Sequence, residues 1–455
     1  MTDFTELTID GRLATPGDGD WDEARMAWNL AADQRPAAVA LVTSAEDVAA
    51  TVAFAASHDL RVAGQGTGHG AAALPDLGDT ILIKTGAMKG IEVDPDAETA
   101  RVEAGAHSIE LGEAAGAHGL CSLPGSSPDV GVVGYTVGGG LSWLGRKYGF
   151  ACNRVRAIEL VTAAGERLTV DAENEPDLFW ALRGGGGSYA IVTALHLDLV
   201  PIRELYAGLL AFPAALGAEA VRRYRDWAAE QPDEVSSVVR FVTPPPLPDV
   251  PEPIRGVPLL TINGAAIVDS KEDGEAVWAP IRELGEPIMD TFEWMPPVGL
   301  SRIHMDPENP VPGVGEGGLV GELDDRAIDA FVEIAGPDSG SPLLLSELRR
   351  LGGAFGRPAA NAGALSHLDA DYVMYSVGMA MSPEMGAAAK GHLERIGETM
   401  KPFGSEGAYF NFTESPCDVD AILPADVCER LGEVKGSYDP ENRIVSNHGV
   451  TLEAG

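Results

Sequence analysis

Three glycine runs and one histidine are the residues of this sequence whose types and spacing could do chemistry. The runs lie at Gly64–Gly70, Gly125–Gly149 and Gly184–Gly187, and the first, Gly64-Gln65-Gly66-Thr67-Gly68-His69-Gly70, carries the histidine. Glycine-rich backbone adopts positive φ or lets a partner approach closely, and apolar segments flank each run, which argues against a flexible linker. Two stretches match the dinucleotide pattern G-x-G-x-x-G/A, Gly66 to Ala71 and Gly185 to Ala190. That pattern works only when a helix follows at once and turns its N-terminus to a pyrophosphate. Leu74-Pro75-Asp76 follows the first match and the strand-like Ile191-Val192-Thr193-Ala194-Leu195 the second, so a nicotinamide site is not expected. Successive N–H groups of a glycine loop can instead surround a phosphate without a helix. Gly64–Gly70 and Gly131–Gly140 could each do this for one face of a diphosphate, tight turns being the competing reading.

The elements that must position these loops are legible from the pattern. Val39–Thr43 reads as a strand, and Ser44 caps a helix over Ala45–His58, with Asp47 completing a capping-box-like start. Leu60–Ala63 is a short strand feeding the first glycine loop, and Thr80–Thr85 is a β-branched strand. Ile91–Val93 with Ala100–Ala104, and Ala157–Thr162 with Arg167–Val170, read as hairpins. Helices fit Ile109–His118 and Pro176–Leu182, and Ala190–Val200 fits a strand. Character changes near Pro201. The proline-rich stretch Thr243–Pro258 must be an extended loop. Segments 205–212, 236–242, 257–264, 342–348 and 371–379 look like strands of one sheet, and Ala214–Glu230, Lys271–Leu284, Asp324–Ile334 and Pro383–Lys401 look like helices. Strands and helices without βαβ alternation predict an α+β second domain. From Glu406 the chain reads as loop-rich and polar.

Composition narrows the partners. In 455 residues, 32 Lys+Arg against 69 Asp+Glu give a formal charge of −37. Such a field repels nucleic acid and anionic membrane surfaces. No apolar run is long enough to span a bilayer, and no basic, then apolar, leader is visible, so a cytoplasmic location is expected. Cys121, Cys152, Cys417 and Cys428 form no CxxC pair and are too few for a disulfide framework.

Four segments, in order along the chain, resemble the berberine-bridge-enzyme-like branch of the vanillyl-alcohol oxidase superfamily. Arg61-Val-Ala-Gly-Gln-Gly-Thr-Gly-His69 is similar to that family's strand and R-G-G-G-H loop. Leu123 to Gly131, continuing through Gly138-Gly139-Gly140 to Trp143, resembles P-A-G-V-C-P-T-V-G and the triple glycine after it. Asp177 to Thr193 is close to D-L-F-W-A-L-R-G-G-G-G-N-F-G-I-V-T. Tyr409-Phe-Asn411-Phe412, Tyr438 to Asn442 and Asn447 resemble the C-terminal motifs.

The resemblance implies an FAD-binding domain of the PCMH type over residues 1–200, a substrate domain over 201–405 whose antiparallel sheet is covered by helices, and a segment 406–455 returning to the first domain. It implies that FAD is held by Gly64, Gln65, Gly66, Thr67, Gly68, His69 and Gly70. Pro124, Gly125, Ser127, Val130, Gly131, Gly134, Tyr135, Gly138, Gly139, Gly140 and Gly149 extend that set, with Ile191, Val192, Tyr409, Asn411 and Asn447. His69 is expected to bond to the flavin 8α-carbon, a neutral imidazole nitrogen acting as nucleophile. Bicovalent members use a cysteine where Ser127 stands here, and a serine hydroxyl is too weak an acid to replace a thiolate, so one link is expected. Cys121 and Cys152 are then buried small hydrophobes. Val130 stands at the family's oxygen gate, where valine goes with oxidases and leucine with dehydrogenases.

The base is open at this level. Phe412 replaces a tyrosine that many members use, leaving Tyr375, Glu347 and Tyr135 as candidates. Strand alternation from Asp371 would place Val373, Tyr375, Val377 and Met379 on one face. The expected function is an FAD-dependent oxidase that removes hydride from an alcohol, sugar or secondary metabolite and reduces oxygen to hydrogen peroxide, with no metal. A dehydrogenase using another acceptor, or a flavin-binding protein without turnover, are the alternatives.

Overall fold

The computed structural model describes residues 2–452 apart from Asp249; Met1, residues 453–455 and that one position of the proline-rich stretch lie outside the described residues. Three sheets carry the architecture. The first has five strands in the order Arg12–Ala14, Ala38–Leu41, Thr80–Lys84, Arg61–Gln65, Ile444–Val445, parallel except for its first pair. Its central strands are buried on both faces, as their nearly continuous apolar sequences require. The last strand comes from the far end of the chain, and Lys435 anchors it. The Lys435 ammonium, 1% exposed, donates to Asp439 Oδ2 at 2.6 Å and to the carbonyls of Ser188 (2.7 Å) and Ile444 (3.1 Å), so all three donors are used.

The second sheet is antiparallel, in the order Ile91–Asp94, Thr99–Glu103, Ala190–Asp198, Val155–Thr162, Arg167–Asp171. Both expected hairpins are in it. The third sheet runs Met289–Asp290, Leu205–Pro213, Leu259–Ala266, Val235–Val242, Leu345–Arg350, Tyr372–Met379, Gly313–Val320, with Glu293–Met295 also paired to Leu205–Pro213. Helices Gly217–Glu230, Lys271–Arg282, Asp325–Ala335 and Pro383–Met400 supply Tyr224, Trp278, Phe331 and Leu393 to a core against one face of it, where Leu348, Tyr372 and Met374 point. The alternate residues Leu345, Glu347 and Arg349, and Tyr375, Val377 and Met379, face the other way, toward a cavity. Val373, on that same side, joins the core below.

Two local expectations need correction, and one strand had not been expected. Ser44 does cap its helix, accepting from Asp47 N–H at 3.2 Å, but the Asp47 carboxylate turns outward to Thr43, Asp10 and Gly11 N–H groups. Gly313–Val320 is a strand despite four glycines, because pairing with Tyr372–Met379 supplies what propensity lacks. Ala425–Tyr438, inside the stretch read as loop, is a helix holding Leu431, Val434 and Lys435 inward; Gly432 and Gly436 weaken its signal.

Candidate active site

A cavity of about 380 Å³ lies where the first glycine loop, the Ser122–Thr136 segment, the third sheet and residues 409–414 converge. Strand Arg61–Gln65 delivers the loop to it. Gly68 takes φ +89, and Ala27 fills the space a side chain there would need. Asn447 holds the loop from the other end of the chain, its amide donating to Gly70 O at 3.1 Å. None of the four backbone N–H groups from Thr67 to Gly70 has an acceptor among the described residues. Such groups are obligatory donors, so the loop presents an unused nest to the cavity.

His69 is held on two sides. Trp28 stacks on the imidazole, centroids 3.9 Å apart and planes 17° apart, and Thr67 Oγ1 lies 2.7 Å from Nδ1. Nε2 is buried without a hydrogen bond, 3.7 Å from Asp129 Oδ1, which is equally unpartnered.

The sheet side is strongly polar. Arg349 Nε donates to Glu347 Oε1 at 2.5 Å. His304 lies between two carboxylates, Nδ1 at 2.7 Å from Asp306 Oδ1 and Nε2 at 2.9 Å from Glu347 Oε2, the latter an ion-pair contact not aligned as a hydrogen bond. Ser127 Oγ donates to Asp306 Oδ2 at 2.7 Å, and Arg240 reaches His304 O at 2.7 Å. Burial alone would raise the Glu347 carboxyl, but Arg349, His304 and Arg240 outweigh it and hold it well below the usual carboxylate range. Asp306 is depressed in the same way, burial being overcome chiefly by His304 and Arg240.

Tyr375 behaves differently. Its hydroxyl donates to Glu414 Oε1, and Gly315 N–H donates to Glu414 Oε2 at 2.9 Å. Burial raises Glu414 above the ordinary range, with Tyr375 and Gly315 only partly opposing it. Phe412 packs on Tyr375 with ring centroids 4.7 Å apart, and Arg349 lies 5.1 Å over the Phe412 ring.

The cavity thus gathers Gly64 through Gly70, Pro124, Gly125, Ser127, Val130, Gly131, Gly134, Tyr135, Tyr409, Asn411 and Asn447, along with Glu347 and Tyr375. It leaves out six expected residues. Gly138, Gly139 and Gly140 are glycines because Asn411, Leu365 and Ala151 occupy the space of their missing side chains, so the triple glycine serves chain packing and not a nest. Gly149, at φ +81, ends helix Gly145–Tyr148. Ile191 packs with the first sheet behind Gly64, and Val192 lies in the second sheet's core. Tyr135 does reach the cavity, but its hydroxyl donates to Leu123 O at 3.1 Å, a backbone carbonyl that cannot take its proton, whereas Tyr375 donates to a carboxylate. Cys121 and Cys152 are buried and unpaired, burial raising the Cys152 thiol to about 12.

Residues 36–171, which include both cavity-lining loops, match the model of the FAD binding domain. Over 471 aligned residues the chain is 27% identical to (R)-6-hydroxynicotine oxidase of Paenarthrobacter nicotinovorans, covering 99% of this chain and 98% of that one. It is 26% identical to YgaK, an uncharacterized FAD-linked oxidoreductase of Bacillus subtilis strain 168, covering 96% of each. The chain carries an FAD binding domain and is an FAD-linked oxidoreductase. This oxidoreductase superposes on BBE-like 1 of Physcomitrella patens with a TM-score of 0.83 over 98% of each chain at 20% identity, which shows the berberine-bridge-enzyme-like fold. The residues fit the cofactor: the unused Thr67–Gly70 donors suit its diphosphate, and an added Cβ at cavity-lining Gly134 would meet no protein atom, leaving space for a flat group.

Sequence reasoning about the oxidoreductase missed Trp28, Asp129, His304, Asp306, Arg349 and Glu414. Asp129 sat inside a quoted motif, and Glu414 lies two residues past Phe412. His304 and Asp306 come from a loop whose sequence carries no period, and only the fold brings them to the sheet.

Proposed function

We propose that the chain is an FAD-dependent oxidase, its flavin carried on His69, that takes two electrons from a small organic molecule bearing an alcohol, amine or phenol and delivers them to oxygen. The observation carrying this reading is that one cavity joins His69 and its unused N–H nest to a half-buried acid–base pair, Tyr375 and Glu414. Bound FAD supplies the hydride acceptor and, with oxygen, the route by which the electrons leave as hydrogen peroxide. The chain's own residues bind, orient and move protons. Tyr375 stands where the missing tyrosine at Phe412 would otherwise act: its hydroxyl takes the substrate's proton while passing its own to Glu414, whose raised pKa suits it to receive one. Glu347, held ionised between Arg349 and His304, is too weak a base for that task. It fixes Arg349 across the cavity, where the guanidinium orients a substrate oxygen. Ser127 spends its hydroxyl on Asp306, consistent with a single covalent link. Val130 borders the cavity, where its size governs the approach of oxygen.

The test is denaturation followed by a substrate panel. Wild-type protein should keep flavin fluorescence in the band after SDS electrophoresis, and His69→Ala should lose it while still binding FAD. Alcohols, sugars and cyclic amines are then screened for peroxide release. Flavin that washes off the wild-type protein sinks the attachment. Bleaching by a substrate without oxygen uptake moves the chain to the dehydrogenases.

A further inference from the structure

We infer that Asp129 positions His69 and accepts its proton when the imidazole is joined to the flavin, an inference that rests on the attachment proposed above. Trp28 ties the two residues together. Its ring stacks on His69 and its Nε1–H donates to Asp129 Oδ2 at 2.5 Å. Asp129 Oδ1 is left buried with no donor, facing His69 Nε2, which is buried with no partner, across 3.7 Å. Buried polar atoms without partners are uncommon and costly, and here two of complementary kind face each other, needing a shift of about 1 Å to bond. A carboxylate only accepts, so the tautomer that suits it carries hydrogen on Nε2 and a lone pair on Nδ1. Thr67, 2.7 Å from Nδ1, then donates to that lone pair. Phosphate-binding loops need no such arrangement, and the motif that Pro128–Gly131 resembles has threonine where Asp129 stands.

The surroundings keep Asp129 able to accept. Burial pushes its carboxyl up, but the nearby His69 imidazole and the hydrogen bond from Trp28 outweigh that and hold it below the ordinary range. The other charged or titratable groups acting on the pair are His107, which burial holds below an ordinary imidazole, and Glu308, whose charge is taken by Arg302 at 2.8 Å. The step balances as follows. A bond forms between Nδ1 and the flavin 8α-carbon. The Thr67 hydroxyl swings off Nδ1 to free its lone pair, and a C–H bond at that carbon and the Nε2–H bond break, the C–H proton passing to solvent and the Nε2 proton to Asp129. The electron pair from the C–H bond reduces the isoalloxazine, and dioxygen reoxidises it, leaving as hydrogen peroxide.

The experiment uses full-length apoprotein from riboflavin-starved cells, mixed with FAD in air. Non-covalent binding is read from quenching of flavin fluorescence and covalent joining from flavin retained by acid-precipitated protein. Asp129→Asn keeps the acceptor for Trp28 but presents an amide N–H to His69. It should bind FAD as the wild type does and join it at least about 10-fold more slowly, with a residual rate that climbs with pH as hydroxide replaces the carboxylate. Asp129→Glu should restore most of the rate. Joining by Asp129→Asn at the wild-type rate and pH dependence overturns the inference, as does loss of non-covalent FAD binding in both variants, which would make Asp129 part of the cavity wall. A wild-type protein that never joins FAD is a different failure, that of the attachment itself.

Discussion

Tyr375 donates its hydroxyl to Glu414 only because residue 315 has no side chain. A Cβ on Gly315 would lie 2.5 Å from Tyr375 Oη and 2.9 Å from Glu414 Oε1, inside the contact limits of both. Gly315 pairs with Val377 in the sheet, on the diagonal from Tyr375, and also supplies the N–H that holds Glu414. Three parts of the chain, residues 315, 375 and 414, therefore build one hydrogen-bonded unit.

Tyr375→Phe and Glu414→Gln should each slow anaerobic flavin reduction by about 100-fold, the usual scale for losing acid–base assistance. The double variant should lose little more than either single one, since the two side chains act as a unit. Because Glu414 must be ionised to receive the proton and burial raises its pKa, wild-type reduction should rise with pH through a range above that of an ordinary carboxyl. Glu414→Gln should abolish that limb. Stopped-flow reduction of bound flavin, with the substrate that the peroxide screen supplies, measures all three.

Lys435 should matter to the flavin loop without touching it. Replacing it by Met leaves Asp439, 1% exposed, without its counter-charge, though the N–H groups of Arg443 and Ile444 still serve it. Breaking a buried pair from one side costs about 3 kcal/mol. The strand Ile444–Val445 should then part from Arg61–Gln65, releasing Asn447 from Gly70. Urea unfolding and limited proteolysis of the C-terminal segment would register both changes; an unaltered cleavage pattern would show that the strand holds by itself.

What was legible in the sequence followed the strength of local signals. Ser44 and its helix, both hairpins and the alternation through Tyr375 were readable because periodicity and capping are short-range. The triple glycine was misread because a glycine that admits Asn411 or Leu365 looks the same in sequence as one that admits a phosphate. Position His69 was readable only through a motif. Glu414 was not, since its partner Gly315 lies on a strand whose glycines hide it, and only the pairing of that strand with Tyr372–Met379 brings Tyr375 alongside.

Acid should loosen the sheet side of the cavity first. Glu347 and Asp306 both have folded-state pKa values below their unfolded ones, so the stability they contribute is full above the ordinary carboxylate range and is lost as pH falls through it toward their depressed values. The wild-type Tm should drop steeply from about pH 5 down to about pH 2, and Glu347→Gln, less stable at neutral pH, should show a shallower drop. Parallel slopes would place the acid-sensitive carboxylates elsewhere.

On the function proposed above, Val130 governs how the electrons leave. Its carbonyl is pinned by Ser108 N–H at 2.9 Å, and its side chain, half-buried, borders the cavity beside Gly131 and Gly134. The backbone therefore cannot retreat to make room for a larger group. Val130→Leu adds one methylene there, and overpacking a constrained site commonly costs roughly 1–3 kcal/mol. If that space is the path of oxygen, reoxidation in air should slow at least about 10-fold, equal to roughly 1.4 kcal/mol of barrier. Reduction by substrate should change by less than about threefold, because Tyr375 and Glu414 are supplied by the third sheet and residues 409–414 and not by the Val130 segment. Stopped-flow separates the two: anaerobic mixing with substrate gives reduction, and mixing reduced enzyme with aerated buffer gives reoxidation. Equal reoxidation in both proteins would take Val130 out of the oxygen path. A wild-type enzyme reduced quickly and barely reoxidised by air would make the chain a dehydrogenase, with a side chain other than Val130 closing the approach.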